Sequence, residues 1–154
     1  MRVAVGADHG GFRLKEELVQ LLKEEGHDVD DVGTHSEDSV DYPDFAEAVS
    51  RLVSEGAAEV GLLVCGTGIG QSIVANKVAG VRAAVIHDVT TAHLAREHND
   101  ANVICLGARI TGAEVAKEAL QVFLSTSFDA DGRHGRRVGK INALDGRTAN
   151  QETS

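Results

Sequence analysis

Short apolar runs alternate along the chain with longer stretches in which apolar side chains recur every three or four positions. The run "VGLLVC" is apolar throughout, which is typical of a strand buried on both faces of a parallel sheet. In "FRLKEELVQLLKEEG" leucines and charges fall on opposite faces, which predicts an amphipathic helix ending at Gly26. The predicted strands are MRVAVGA, HDVDDVG, VGLLVC, VRAAVI and NVICLG. The predicted helices are FRLKEELVQLLKEEG, FAEAVSRLVSEG, SIVANKVAG, TTAHLAREH, GAEVAKEALQVFLS and a basic segment from about Arg133 to Leu144.

Strand and helix therefore alternate about five times, with short connections. This rhythm predicts an α/β fold, a three-layer, Rossmann-like, doubly wound sheet of about five parallel strands with helices on both faces. Residues 1–145 would form one domain, and residues 146–154 a flexible C-terminal tail. Ligands of such sheets bind at the carboxyl ends of the strands. The residues at these ends are Asp8 and His9, Cys65 with the glycines after it, His87 and Asp88, and Gly107 to Arg109.

Composition and charge narrow the function classes. Of 154 residues, 42% are hydrophobic and 25% charged, which is ordinary for a globular protein. A formal charge of −9 argues against nucleic-acid binding, which usually needs a broad basic face. No apolar run reaches the roughly 18 residues of a membrane helix, and no leader precedes the first strand, so we expect neither a membrane partner nor secretion. The two cysteines form no CxxC pair, which favours a reducing, cytoplasmic location.

Three glycines follow Cys65 at every second position. The dinucleotide fingerprint is GxGxxG on the first strand–helix turn, so this GxGxG loop on the third strand fits it poorly, although Asp88 does end the next strand. The loop lacks the GKS or GKT of a P-loop. It is either a tight turn or a set of exposed N–H groups that can hold an anion. The same N–H groups would stabilise the thiolate of Cys65, which could attack an electrophile or remove a carbon-bound proton.

The charged candidates each leave two interpretations open. His98 ends a predicted helix and could cap it or act in catalysis. Asp8 could cap the helix that follows or belong to a site. The cluster "RHGRR" from Arg133 to Arg137 is either a solvated helix face or a set of phosphate ligands. No HxH, HExxH or Cys/His spacing is present, so no metal site is expected.

Six segments together resemble the type B ribose-5-phosphate isomerases, a family that also includes the galactose-6-phosphate isomerase subunits. They are GADHGGF, DYPDFA, CGTGIGQSIVANK, REHNDANV, LGARI and GRHGRRV. The resemblance spans about Met1 to Leu144, with the motifs in the family's order and at its separations. It implies an aldose–ketose isomerase that acts on ribose 5-phosphate and ribulose 5-phosphate through an enediolate, without metal or cofactor.

The resemblance also implies a role for individual residues. Cys65 matches the family's catalytic base; Gln71 stands where members without that cysteine carry a glutamate base. The implied catalytic residues are Cys65, His98, Thr67 and Asp8. The implied substrate-binding residues are His9, Tyr42, Gly66, Gly68, Ile69, Gly70, Asn99, Arg109, Arg133, His134 and Arg137. In this scheme His98 opens the furanose ring with help from Asp8, the backbone from Gly66 to Gly70 holds the enediolate, and His9 and the arginines bind phosphate.

The resemblance also bears on the assembly of the protein and on its substrate. Family members are homodimers or dimers of dimers, and the resemblance implies a site that the partner subunit completes with His98, Asn99 and Arg109. Five-carbon, six-carbon and four-carbon sugar phosphates all suit the architecture, and the surroundings of Tyr42 and His9 would decide between them. A non-catalytic phosphosugar-binding protein and a dinucleotide oxidoreductase remain as alternatives from other classes.

Overall fold

The structure, a computed structural model, describes the backbone of residues 1–152 and the side chains of residues 1–146. The strands are β1 (Arg2–Ala7), β2 (Asp28–Gly33), β3 (Val60–Cys65), β4 (Ala83–Val85) and β5 (Val103–Gly107). The helices are α1 (Phe12–Glu24), α2 (Tyr42–Ser54), α3 (Ile69–Ala75), α4 (Val89–Asn99), α5 (Ala113–Ser125) and α6 (Arg133–Glu152). The predicted α/β fold is confirmed, and β4 is shorter than its apolar run suggested.

The five strands form one parallel sheet in the order β2-β1-β3-β5-β4. The chain leaves β1 toward one edge of the sheet and leaves β3 toward the other, which opens a crevice between the carboxyl ends of these two strands. Ala7 pairs with Val64, and the N–H of Asp8 donates to the carbonyl of Val64 at 3.3 Å. Asp8 and Cys65 therefore enter the crevice from adjacent strands.

Alternate strand residues feed two hydrophobic cores, one on each face of the sheet. Val3 and Val5 pack with α1, α4 and α5, whereas Ala4 packs with α2 and α3. Cys105 belongs to the second core and is fully buried, and this burial raises the pKa of its thiol. Cys105 is therefore a small apolar residue of the core.

The last helix, α6, lies against α4 and the loop before β4. Val138 is buried, the side chain of Asp145 accepts from the Gly80 N–H at 2.9 Å, and Arg82 donates to Asn142 at 3.1 Å. The helix continues to Glu152, so its predicted end at Leu144 is wrong. Of the predicted tail, the side chains from residue 147 on and residues 153 and 154 lie outside the described part, and its flexibility stays a prediction. Within that part, no helix has the length and apolar character needed to cross a membrane.

Candidate active site

A cavity of about 470 Å³ opens at the carboxyl ends of β1 and β3. Its lining consists of Asp8, Tyr42, Cys65, Gly66, Thr67, Ile69, Gly70, Ile73 and Arg109. All of these except Ile73 were predicted from the sequence. Ile73 is exposed one turn after Ile69, so the i, i+4 spacing on α3 was the signal that could have found it.

Cys65, the last residue of β3, is 4% exposed, and its sulfur accepts a hydrogen bond from the Gly68 N–H at 3.0 Å. Gly68 has φ 79°, in the left-handed region that favours glycine. This conformation lets the chain double back within three residues and present its N–H to the thiol. A cysteine beside a backbone donor in a cavity can act as a base or as a nucleophile.

The other glycines of the loop make room for close neighbours. A Cβ on Gly70 would lie 2.5–2.7 Å from the ring of Tyr42, so that ring lies directly on the loop backbone. A Cβ on Gly107, at the end of β5, would lie 2.6 Å from the backbone of Thr67. The loop is thereby fixed between β5 and Tyr42.

Asp8 lines the cavity and also supports the turn into α1. Its side chain is 8% exposed, and Oδ1 accepts from the Gly11 N–H at 3.0 Å. Asp8 therefore orders the turn before α1 but does not cap the helix, whose N-cap is Gly11. Its part in a site stays a prediction.

Arg109 lies in the cavity of its own chain. Its N–H donates to the Gly66 carbonyl at 3.0 Å, and its Cδ and Cζ atoms are 3.4 and 3.5 Å from where a Cβ on Gly66 would be. We expected Arg109 to reach a partner's site; here it lines the cavity of its own chain, and a contribution across the interface stays a prediction. The backbone bond to Gly66 holds Arg109 beside the loop that follows Cys65.

His9 lies beside this cavity rather than in its lining. Its Nδ1 accepts from the Val40 N–H at 3.2 Å, so a neutral His9 carries its proton on Nε2. Residues 34–41, which connect β2 to α2, therefore fix the ring that the sequence assigned to phosphate.

Lys15 anchors the other end of that connection and was not predicted. It is fully buried, and its ammonium donates to both oxygens of Asp31, at 2.9 and 2.8 Å, and to the Thr34 carbonyl at 2.7 Å. The signal was its position three and four residues before Leu18 and Val19, on the apolar face of α1.

The remaining predicted residues form a second group, away from the Cys65 cavity. His98 lies in the last turn of α4, where the Asp100 backbone N–H provides the C-cap. The His98 ring instead stacks on His134, with the ring centroids 4.0 Å apart. Asn99 lines a separate cavity of about 460 Å³ beneath α6. Arg133 and Arg137 lie one turn apart on α6, beside His134.

Asp88 has a structural role. It begins α4 as the N-cap of a capping box, and the Thr91 N–H and hydroxyl donate to its Oδ1 at 2.7 and 3.0 Å. These bonds, the backbone one foremost, hold the pKa of the carboxyl below its usual value. Asp88 gave some support to a dinucleotide site, but its carboxylate is engaged in hydrogen bonds at the start of α4. The described residues also contain no group of three or more metal-ligating side chains.

Known proteins have a similar fold and a related sequence. The ribose/galactose isomerase family matches residues 3–141. Ribose-5-phosphate isomerase B of Escherichia coli is 44% identical over 95% of this chain and 97% of its own length. The structure of ribose-5-phosphate isomerase B from Clostridium thermocellum is 45% identical, with a TM-score of 0.94 over 96% of this chain and 99% of that one. The type B enzyme structure from Trypanosoma brucei is 50% identical, with a TM-score of 0.90 over 93% and 97%. The chain belongs to the ribose/galactose isomerase family.

Proposed function

We propose that the protein interconverts ribose 5-phosphate and ribulose 5-phosphate. The observation that carries this proposal is the Cys65 thiol, held by the Gly68 N–H inside a cavity that Arg109 also lines. The relatives named ribose-5-phosphate isomerase B, at 44% and 45% identity over nearly the whole chain, support this choice of substrate.

In the proposed reaction the thiolate of Cys65 removes the proton from C2 of the open-chain aldose. The C2 electrons form the C1–C2 double bond of an enediolate, whose oxyanion the N–H groups between Gly66 and Gly70 stabilise. The proton of the C2 hydroxyl passes to O1, and the thiol returns its proton to C1, which leaves the carbonyl at C2 and a hydroxyl on C1. The Thr67 hydroxyl would hydrogen-bond a sugar oxygen.

Ring opening and phosphate binding need the second group of residues. His98 would protonate the ring oxygen, assisted by Asp8, and Asn99 would contact the sugar. The phosphate ligands would be His9, Arg109, Arg133 and Arg137. Since His98 and the α6 arginines do not line the cavity of their own chain, we propose that a second copy supplies them in a homodimer or a dimer of dimers.

The family is also named for galactose, so isomerisation of another sugar phosphate is the alternative activity. Isomerisation of a six-carbon phosphate, such as galactose or allose 6-phosphate, or of a four-carbon phosphate would use the same chemistry in a cavity of different depth. A catalytic thiol also suits a reducing cytoplasm, where we place the protein.

An isomerisation assay over a panel of aldose phosphates, without added metal, tests the proposal. We expect the highest kcat/KM with ribose 5-phosphate. In D₂O the product should gain deuterium, since a proton held on a thiol exchanges with solvent. A preference for a six-carbon or four-carbon phosphate would replace the substrate, and inactivity on all of them would overturn the proposed function.

A further inference from the structure

The rings of His98 and His134 form the contact between the end of α4 and the beginning of α6. Their centroids are 4.0 Å apart and their planes differ by 10°. His134 is 8% exposed, and Val138, one turn further along α6, is buried as well. This face of α6 is thus buried, and the His134 ring gives the His98 ring a flat and fixed surface to stack on.

The two imidazoles have different electrostatic surroundings. The charged groups near the pair are Glu97 on α4, which also pairs with His93, Asp129 before α6, and Arg133 and Arg137 on α6. Glu97 Oε2 lies 3.4 Å from His98 Nε2. Burial, followed by the charge of His98, lowers the pKa of His134. Two positive rings at 4.0 Å would repel each other, and the lowered pKa of His134 favours a neutral ring there.

We propose that His134 is a positioning residue that holds the His98 ring in one orientation. This inference rests on the proposed function, in which His98 is the acid of ring opening. His98 gives its proton to the ring oxygen as the C1–O4 bond breaks and its electrons pass to O4. The O1 hydroxyl proton passes to Asp8 as the aldehyde forms.

The chemistry of the two sugars provides a selective test. Ribose 5-phosphate is a furanose and has to open before its C2 proton can be removed. Ribulose 5-phosphate cannot close to a furanose, because the hydroxyl on C5 that would attack its carbonyl carries the phosphate. Its C1 proton can therefore be removed without any ring opening, and exchange of that proton with solvent reports on the base alone.

The experiment measures two rates for the enzyme and its His134→Ala variant: isomerisation, and exchange of the C1 proton of ribulose 5-phosphate with D₂O. A positioned acid is worth about 10²–10⁴-fold, so we expect kcat for ribose 5-phosphate to fall at least about tenfold. The exchange rate should stay within about twofold, whereas kcat/KM for isomerisation should fall by one factor in both directions, because the equilibrium constant is unchanged. Unequal losses of this kind are not expected from a mere loss of stability.

Two further variants test the stack itself. His134→Phe keeps a flat ring and should recover most of the ribose 5-phosphate rate, whereas His134→Leu should not. His93→Ala is the matched control, because it removes another α4 imidazole that pairs with Glu97, at 3.2 Å, but that lies outside the stack. If His134→Ala fails to fold, the Phe and Leu variants carry the comparison.

Equal losses of isomerisation and of C1-proton exchange, or a raised KM for both sugars, would overturn this role and make His134 a substrate ligand or a purely structural residue. The role would also fail if the Phe variant were as slow as the Leu variant. A wild-type enzyme that converted neither sugar would instead overturn the proposed function.

Discussion

The sulfur of Cys65 lies 3.0 Å from the backbone nitrogen of Gly68, which donates a hydrogen bond to it. The bond closes a turn of three residues and depends on the left-handed backbone of Gly68. It places the sulfur of the proposed base at the beginning of the loop whose other N–H groups would receive the oxyanion. Base and oxyanion site are thus built from one short segment.

Replacing Cys65 by alanine should lower kcat by at least about 10²–10⁴-fold, the usual contribution of a positioned base. Binding of ribose 5-phosphate, measured by calorimetry, should persist because the phosphate ligands are intact. Cys105→Ala is the control: it removes the buried thiol of β5 and should reduce stability while leaving kcat near wild type. Near-full activity of Cys65→Ala would contradict its role as base.

Arg133→Ala and Arg137→Ala should chiefly raise KM for the sugar phosphate, with a further fall in kcat if the phosphate also orients the sugar. The two arginines lie one turn apart and can bind one phosphate together. Arg136→Ala removes the same charge from the same helix and serves as control. If steady-state kinetics showed all three variants alike, the cluster would be a solvated helix face and not a phosphate site.

Mixing Cys65→Ala subunits with His98→Ala subunits should restore activity that neither variant has alone. If the two residues of one site come from different chains, each mixed dimer has one intact site. Random exchange makes about half of the dimers mixed, so roughly a quarter of wild-type activity should return. Native mass spectrometry would confirm the exchange. Exchange without recovery would place both residues in the same chain's site.

Treatment with EDTA should leave the isomerisation rate unchanged. The proposed proton transfer uses a thiol and backbone donors, and the described residues hold no cluster of three metal-ligating side chains. The rate is measured before and after chelation and again after adding divalent ions. Activity lost to EDTA and regained with a divalent ion would require a different mechanism.

Lys15→Met should lower the free energy of unfolding by about 3 kcal/mol, because it leaves the Asp31 carboxylate unpaired beside a core. The estimate is at the low end for a buried pair because Asp31 keeps 22% of its side chain exposed. In urea unfolding, the surface control Lys117→Met should cost less than about 1 kcal/mol. Replacing Asp31 by leucine in the Lys15→Met background should recover part of the loss. A Lys15→Met variant as stable as the control would contradict this account.

Local patterns predicted the elements well, because each strand and helix shows its own period of burial. They did not predict the strand order, since the placing of β5 between β3 and β4 depends on the directions of the crossovers. Nor did they place the end of α6, where a polar run after Leu144 gives no stop signal before Glu152.

The site was predictable where its residues follow strands, as Asp8 and Cys65 do, because parallel strands end at one edge. The resemblance to a family supplied Tyr42, whose contact with Gly70 joins segments 28 residues apart in sequence. Lys15 was missed because a lysine on an amphipathic helix is normally solvated, and its burial depends on Asp31 and the Thr34 carbonyl. The sequence could not predict that Arg109 lines the cavity of its own chain, because this position depends on the close approach of its side chain to Gly66.

The strand order has a consequence for the growing chain on the ribosome. β4 is made before β5 but pairs only with it, so residues 83–85 have no strand partner until residues 103–107 have emerged. The loop after Cys65 also lacks a packing partner until β5 has emerged, since its Thr67 packs against Gly107. A nascent chain that stops short of β5 can pair β1 with β2 and β3 but cannot close the wall behind its catalytic thiol. Assembly of the site is therefore delayed until β5 is available.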